Sequence, residues 1–196
     1  LEDVRRLAGS LLFEFHDAIQ DLPGSTKARE LVVRRSQEYL DGLAREAGND
    51  PSLRRELATA FERLADVQGG GNVSLGERQA ALASLRKAVA IRESLSKASP
   101  HDAESSRALA AAFDRIGLVR LRGGDASGED DIRKALHLRQ ELVQAEPSSS
   151  KALRDLARSY DSVGSALTRR ADYRGALEYR RKESELFEKI AAGSPN

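Results

Sequence analysis

The chain has 196 residues, enough for about one domain with a buried core. Its 32 lysines and arginines face 31 acids, and a net charge of +1 excludes the one-sided basic excess of a dedicated nucleic-acid or polybasic membrane binder. Cysteine is absent, which rules out disulfides, thiolate metal sites and cysteine nucleophiles.

In chain order, Val4, Leu7, Leu11, Phe15 and Ile19 make one amphipathic helical stripe. The opening residues do not have the form of a signal peptide. A chain that starts on Leu1 without an initiator methionine is expected to be a segment of something longer. Asp21-Leu22-Pro23-Gly24-Ser25 is a turn, and Leu31, Val32, Tyr39, Leu40 and Leu43 continue on a second helix. Gly48 stands where a left-handed C-terminal cap belongs, as does Gly193 at the far end.

From here prolines set the rhythm. Pro51, Pro100, Pro147 and Pro195 are 49, 47 and 48 residues apart, and proline breaks helix interiors. After each of the first three comes one signature: Leu57-Ala58-x-x-Phe61-x-x-Leu64-Ala65, Leu109-Ala110-x-x-Phe113-x-x-Ile116-Gly117, and Leu156-Ala157-x-x-Tyr160-x-x-Val163-Gly164. Apolar residues at steps of three and four mark one helix face. The turns that follow are Gly69-Gly70-Gly71-Asn72, Gly123-Gly124-Asp125 and Arg170-Ala171-Asp172. Each precedes a second helix, in which Arg86-Lys87, Arg133-Lys134 and Arg181-Lys182 share a register. Ser74 with Glu77, and Ser99 with Asp102, fit capping boxes.

The spacing therefore predicts an all-α chain: about eight helices as antiparallel pairs in a right-handed superhelix. Residues 1–51 form a divergent N-terminal cap; residues 52–196 hold three repeats, 52–100, 101–147 and 148–195, in one continuous domain. The longest apolar run, Ala108–Phe113, is far shorter than the ~20 residues of a membrane span.

Val163-Gly164-x-x-Leu167 followed by Ala171-Asp172-Tyr173-x-x-Ala176-Leu177-x-Tyr179 resembles the tetratricopeptide repeat. Leu75-Gly76-Glu77-Arg78-x-x-Ala81-Leu82 is a second match, with about four extra residues in its turn. The copy between them departs from the pattern, because Gly128 or Glu129 falls at the small alanine. A further resemblance is carried by Asp3-Val4-Arg5-Arg6-Leu7-Ala8, by Leu11 to Ile19, by Asp21 to Thr26 and by Ala28 to Val33. This stretch is similar to one that opens the tetratricopeptide region of bacterial serine/threonine protein kinases. The resemblance implies a non-catalytic sensor or scaffold region of a membrane-tethered kinase, with an extracytoplasmic placement left open. None of the kinase catalytic motifs occurs in this sequence.

Residues that could carry chemistry point to no enzyme, cofactor or metal. His16, His101 and His137 show no metal-binding face, and Asp125, Ser127, Glu129 and Asp131 lack the glycine and distal glutamate of a calcium loop. The triple glycine at 69–71 has no Lys-Ser/Thr after it, so it is not a phosphate loop.

One pattern is sharper. Arg55, Arg107 and Arg154 share a repeat position; Glu62, Asp114 and Asp161 stand seven residues on, with Thr59, Ala111 and Arg158 between them. Leu118, Arg122 and Arg169 extend the same face, where repeats stop matching. By resemblance this side of the first helix lines a concave groove. Two readings stay open: a groove that binds a protein or peptide partner, or a salt ladder tying repeats together. The expected function is a protein-interaction module that regulates an attached kinase; the alternative is a homodimerisation module that brings kinase domains together, with Tyr179 and Phe187 as surface candidates. No nucleic-acid partner is expected, and no membrane contact by this segment itself.

Overall fold

The computed structural model of the chain describes residues 26–70 and 76–192. The stripe from Val4 to Ile19, the turn at 21–25, the Ser74 cap and Gly193 lie outside the described residues. Among the described residues the fold is all-α, with no strand. Its helices are α1 (Thr26–Glu46), α2 (Pro51–Ala65), α3 (Arg78–Ala98), α4 (Ala103–Arg122), α5 (Gly128–Ala145), α6 (Ser150–Arg169) and α7 (Tyr173–Ala192). The chain divides into two compact units, residues 1–91 and 92–196, with the boundary inside α3.

In the first unit α1 and α2 form a helical hairpin. Gly48 (φ +52°) ends α1 in the left-handed region that suits glycine. Asp50 then caps α2, accepting from the Ser52 amide at 2.9 Å, and Pro51 sits in the first turn, where its missing N–H costs nothing. The core gathers Val33 and Leu40 of α1, Leu53, Leu57, Phe61 and Leu64 of α2, and Ala88 of α3. Each large side chain buried there contributes ~1.5–3 kcal/mol. On α1, Val33, Ser36 and Leu40 are buried, while Leu31 is exposed. Leu31 lies two residues, or about 200°, from Val33 and cannot share its face.

The expected turn at Gly69 begins inside a helix. Residues Asp66–Gly70 continue α2 as a π-helical turn, which takes up part of the extra turn length of this repeat. A side chain on Gly69 would sit 2.9 Å from the Arg78 amide nitrogen, so only glycine allows this approach. The turn buries Gln68, whose amide nitrogen donates to Gln37 at 3.2 Å and whose carbonyl accepts from Ser84 at 2.7 Å. Both halves of a buried amide are thereby satisfied.

The second unit stacks two helical hairpins, α4–α5 and α6–α7, with α5 packed on α6. The crossing within α4–α5 is glycine on glycine. A Cβ on Gly117 would lie 2.7 Å from the Gly128 carbonyl oxygen, and a Cβ on Gly128 would meet the Gly117 carbonyl. Gly128 therefore occupies the small-residue position, and the repeat keeps its close crossing without the alanine. In α6–α7 the equivalent crossing is looser: a Cβ on Gly164 would meet the Ala176 oxygen at 3.6 Å, an ordinary contact. Asp102 itself caps α4, accepting from the Glu104 amide at 3.1 Å and from the Ser105 hydroxyl at 2.6 Å. The expected box had Ser99 at the cap with Asp102 as its distal partner. The cap stands at Asp102 because Ser99 belongs to a preceding turn, where its carbonyl accepts from the Asp102 amide. The α6–α7 turn places Ala171 at φ +61°, a left-handed conformation that a Cβ disfavours.

The repeat columns become a repeated contact. Lys87 lies over the Phe61 ring at 5.3 Å in the first unit, and Lys134 over Phe113 at 5.2 Å in the second. In the last repeat Lys182 instead covers Tyr179 at 4.9 Å, and Tyr179 packs 5.7 Å from Tyr160.

Candidate functional site: charged faces of the first helices

The aligned arginines and acids stand in different surroundings. In the first unit Arg55 and Thr59 are exposed, and the Thr59 hydroxyl donates to the Arg55 carbonyl at 3.0 Å. Glu62, one turn on, is buried.

In the second unit Arg107 of α4 is a hub. Its guanidinium lies 3.0 Å from Glu146 and 3.8 Å from Asp155 of α6, with Glu104 at 3.9 Å, and its side chain is largely covered. Lys151 of α6 closes the same cluster through Glu104 at 3.2 Å. Asp114 is buried, and Arg139 of α5 donates to its carboxylate and, at 2.7 Å, to the Ser159 hydroxyl. One buried triad thus ties α4, α5 and α6 together. Burial pushes the Asp114 carboxyl above the usual carboxylate range, and the Arg139 guanidinium only partly pulls it back. Leu118 is half-buried and packs on the apolar cluster shared by α5 and α6. Arg122 is exposed.

On α6 the pattern opens to solvent. Arg154, Arg158 and Arg169 are exposed. Arg158 reaches Asp155 only at 3.4 Å, while Arg154 and Arg169 have no hydrogen bond or ion pair among the described residues. Asp161 is half-exposed and is held by Arg180 of α7, which also contacts Glu183 at 3.1 Å. Steps of four, three, four and four from Arg154 through Arg158, Asp161 and Ser165 to Arg169 keep these residues on one side of the helix. The two outer arginines are ~22 Å apart along the axis.

The acids of the suspected calcium loop diverge. Asp125 accepts from the Ser127 amide at 3.0 Å, Glu129 from Arg170 at 2.9 Å, and Asp131 from Arg120 at 2.5 Å. Arg120 lies between Asp125, at 4.0 Å, and Asp131, while Glu129 turns to Arg170, so these carboxylates face arginines and do not form a cation cage. Glu141 does stand four residues after His137, 3.4 Å from its ring, which the sequence reading passed over. No third metal-ligating residue joins them among the described residues. No helix among the described residues is long and apolar enough to cross a membrane.

Sequence reasoning missed the partners rather than the columns. Arg139, Ser159 and Arg180 lie outside the aligned first-helix positions, yet they decide which column members are buried and which stay open.

No protein-family model and no curated protein matches the sequence. Among solved structures the chain is similar to MamA protein, with 18% identity over 96% of this chain and 97% of that one, at a TM-score of 0.42. It is similar to BtubC (BKLC) from P. vanneervenii, with 17% identity over 100% and 89% of the two chains, at a TM-score of 0.40. It is also similar to MamA 41-end from Desulfovibrio magneticus RS-1, with 19% identity over 93% and 96%, at a TM-score of 0.35. These are distant likenesses.

Proposed function

We propose that the chain is a non-catalytic, tetratricopeptide-type interaction module whose α6 face takes an acidic segment of a partner protein. The observation that carries this is the set of exposed arginines on that face, Arg154, Arg158 and Arg169, two of which have no acidic partner among the described residues. Guanidinium groups on a rigid helix are pre-organised donors for carboxylates, so little side-chain freedom is lost per hydrogen bond formed. Arg107 and Asp114 serve a different end: their partners lie within the fold, and they hold α6 in place. Of the two readings left open by the columns, the ladder accounts for the α4 residues and the groove for those of α6.

A labelled oligoglutamate peptide, titrated by fluorescence anisotropy, tests this reading. Binding that saturates, weakens with salt and falls at least about tenfold in the Arg154→Glu/Arg169→Glu variant is expected. Unchanged binding in that variant removes the proposal. Arg107 is unsuited to such a test, because its reversal would place a fourth acid among Glu104, Glu146 and Asp155.

We further infer, from the resemblance of residues 3–33, that the module is the regulatory region of a bacterial serine/threonine protein kinase. The coding sequence ahead of Leu1 tests this. A Gly-rich loop, a strand lysine and a His-Arg-Asp loop are expected there, and a preceding sequence without them refutes it.

A further inference from the structure

Among the described residues, α7 leaves uncovered the face that its counterpart α5 buries. Offset by 48 residues, Glu129, Ile132, Leu136 and Arg139 of α5 correspond to Leu177, Arg180, Ser184 and Phe187 of α7. On α5 that face is closed by α6: Ile132 and Leu136 join Leu156, Val163 and Leu167 in one cluster, and Arg139 reaches Ser159. On α7 no helix among the described residues covers the same register: Arg180 turns to Asp161 of α6, while Tyr173, Leu177 and Phe187 are 68%, 52% and 50% exposed. With 3.6 residues per turn, Tyr173, Leu177, Arg180, Ser184 and Phe187 fall within an arc of about 80°.

Charge identifies the occupant. Along one flank of this apolar line run Arg174 and Arg181 in the first half of α7, then Glu185 and Glu188 in the second. All four are exposed, and none has a partner among the described residues. Such a flank complements itself when reversed. In an antiparallel pairing about a two-fold axis at Lys182, Leu177 of one copy lies opposite Phe187 of the other. The axis keeps the two charged flanks on the same side, so Arg174 comes within two residues, about 3 Å along the axis, of Glu188, and Arg181 equally close to Glu185, each pair occurring twice. A closed two-fold interface requires this self-complementarity, since one surface must serve both subunits.

We propose that α7 is the dimer interface of this protein, its open face covered by α7 of a second copy. The contact is one helix on one helix, which puts it among the smaller and more readily reversible interfaces. It is independent of the acidic-partner reading, because the arginines of that reading stand on α6.

Light scattering on the full chain across a concentration series tests it. The mass is expected to rise from one chain toward two. The Leu177→Glu/Phe187→Glu variant should stay at one chain with unchanged far-UV circular dichroism, because both side chains are half-exposed. Arg174→Glu/Arg181→Glu alone and Glu185→Arg/Glu188→Arg alone should each be monomeric, and an equimolar mixture of the two should dimerise. A wild-type chain that stays monomeric throughout would assign the face to some other occupant and overturn the proposal. So would a dimer that survives in the Leu177→Glu/Phe187→Glu variant, or a mixture that fails to pair.

Discussion

The triad of Asp114, Arg139 and Ser159 offers a quantitative test of how the helices of the second unit are held. Asp114 and Arg139 are 6% and 2% exposed, so both charges have left water and depend on each other. Arg139→Met leaves a buried carboxylate without its hydrogen-bonded cation, with only the exposed Arg158 to attract it; Asp114→Leu leaves a buried guanidinium with only a hydroxyl acceptor. Each single change should cost about 3–5 kcal/mol. The double variant removes both desolvation penalties and should return to within about 1 kcal/mol of the wild type, or exceed it. The coupling between the two sites is then several kcal/mol, beyond the ~0.5–3 of ordinary neighbours. Urea melts followed by far-UV circular dichroism measure it. Hydrogen exchange at α5 amides reports the second unit separately, which guards against the two units unfolding in turn. Two single variants each costing under about 1 kcal/mol, or a double variant as damaged as their sum, would refute the claim that the pair is buried and mutually dependent.

Other outcomes follow from local geometry. Gly128→Ala pushes a methyl group against the Gly117 carbonyl and should destabilise by about 1–3 kcal/mol, whereas Gly164→Ala has room and should be neutral or gain up to about 1 kcal/mol of helix propensity; urea midpoints compare them. Ala171→Gly relieves the left-handed turn and should raise the thermal midpoint. Ser84→Ala strands the Gln68 carbonyl and should cost about 1–3 kcal/mol. The folded state holds the Asp114 proton to higher pH than the unfolded chain does. Its contribution is therefore fully present below the unfolded carboxylate range and is lost as pH rises through the folded value. The stability of the wild type minus that of Asp114→Asn should accordingly fall with rising pH across the acid range; a rising difference would show that the guanidinium outweighs burial.

Much of the fold was legible because helices announce themselves locally. Leu57, Phe61 and Leu64, and their counterparts in two later copies, lie at steps that only a helix brings to one face, and prolines mark the breaks. What could not be read depended on neighbours distant in sequence. Gly128 looked like a departure from the repeat until Gly117 was seen against it. The π-helical turn at 66–70 brings Gly69 against the Arg78 backbone, a contact nine residues on that no periodicity in the sequence marks. Leu31 and Leu40 stand on the same helix as apolar residues, and only the packing of α1 against α2 separates the buried Leu40 from the exposed Leu31. The charged columns were correctly aligned as sequence, but alignment treats Asp114 and Asp161 alike. One is sealed by Arg139; the other meets Arg180, because Phe187 stands at the position of Arg139.

The central claim is that the α6 face, with Arg154, Arg158 and Arg169, is the binding surface. Amide chemical shifts of the isotope-labelled chain, recorded as unlabelled oligoglutamate is added, test it most directly. The predicted shifts concentrate on α6 near Lys151, Arg154, Arg158, Ser165 and Arg169, and leave α7 near Leu177 and Phe187 unmoved. Shifts centred on another helix, or spread evenly over every exposed arginine, would contradict the account.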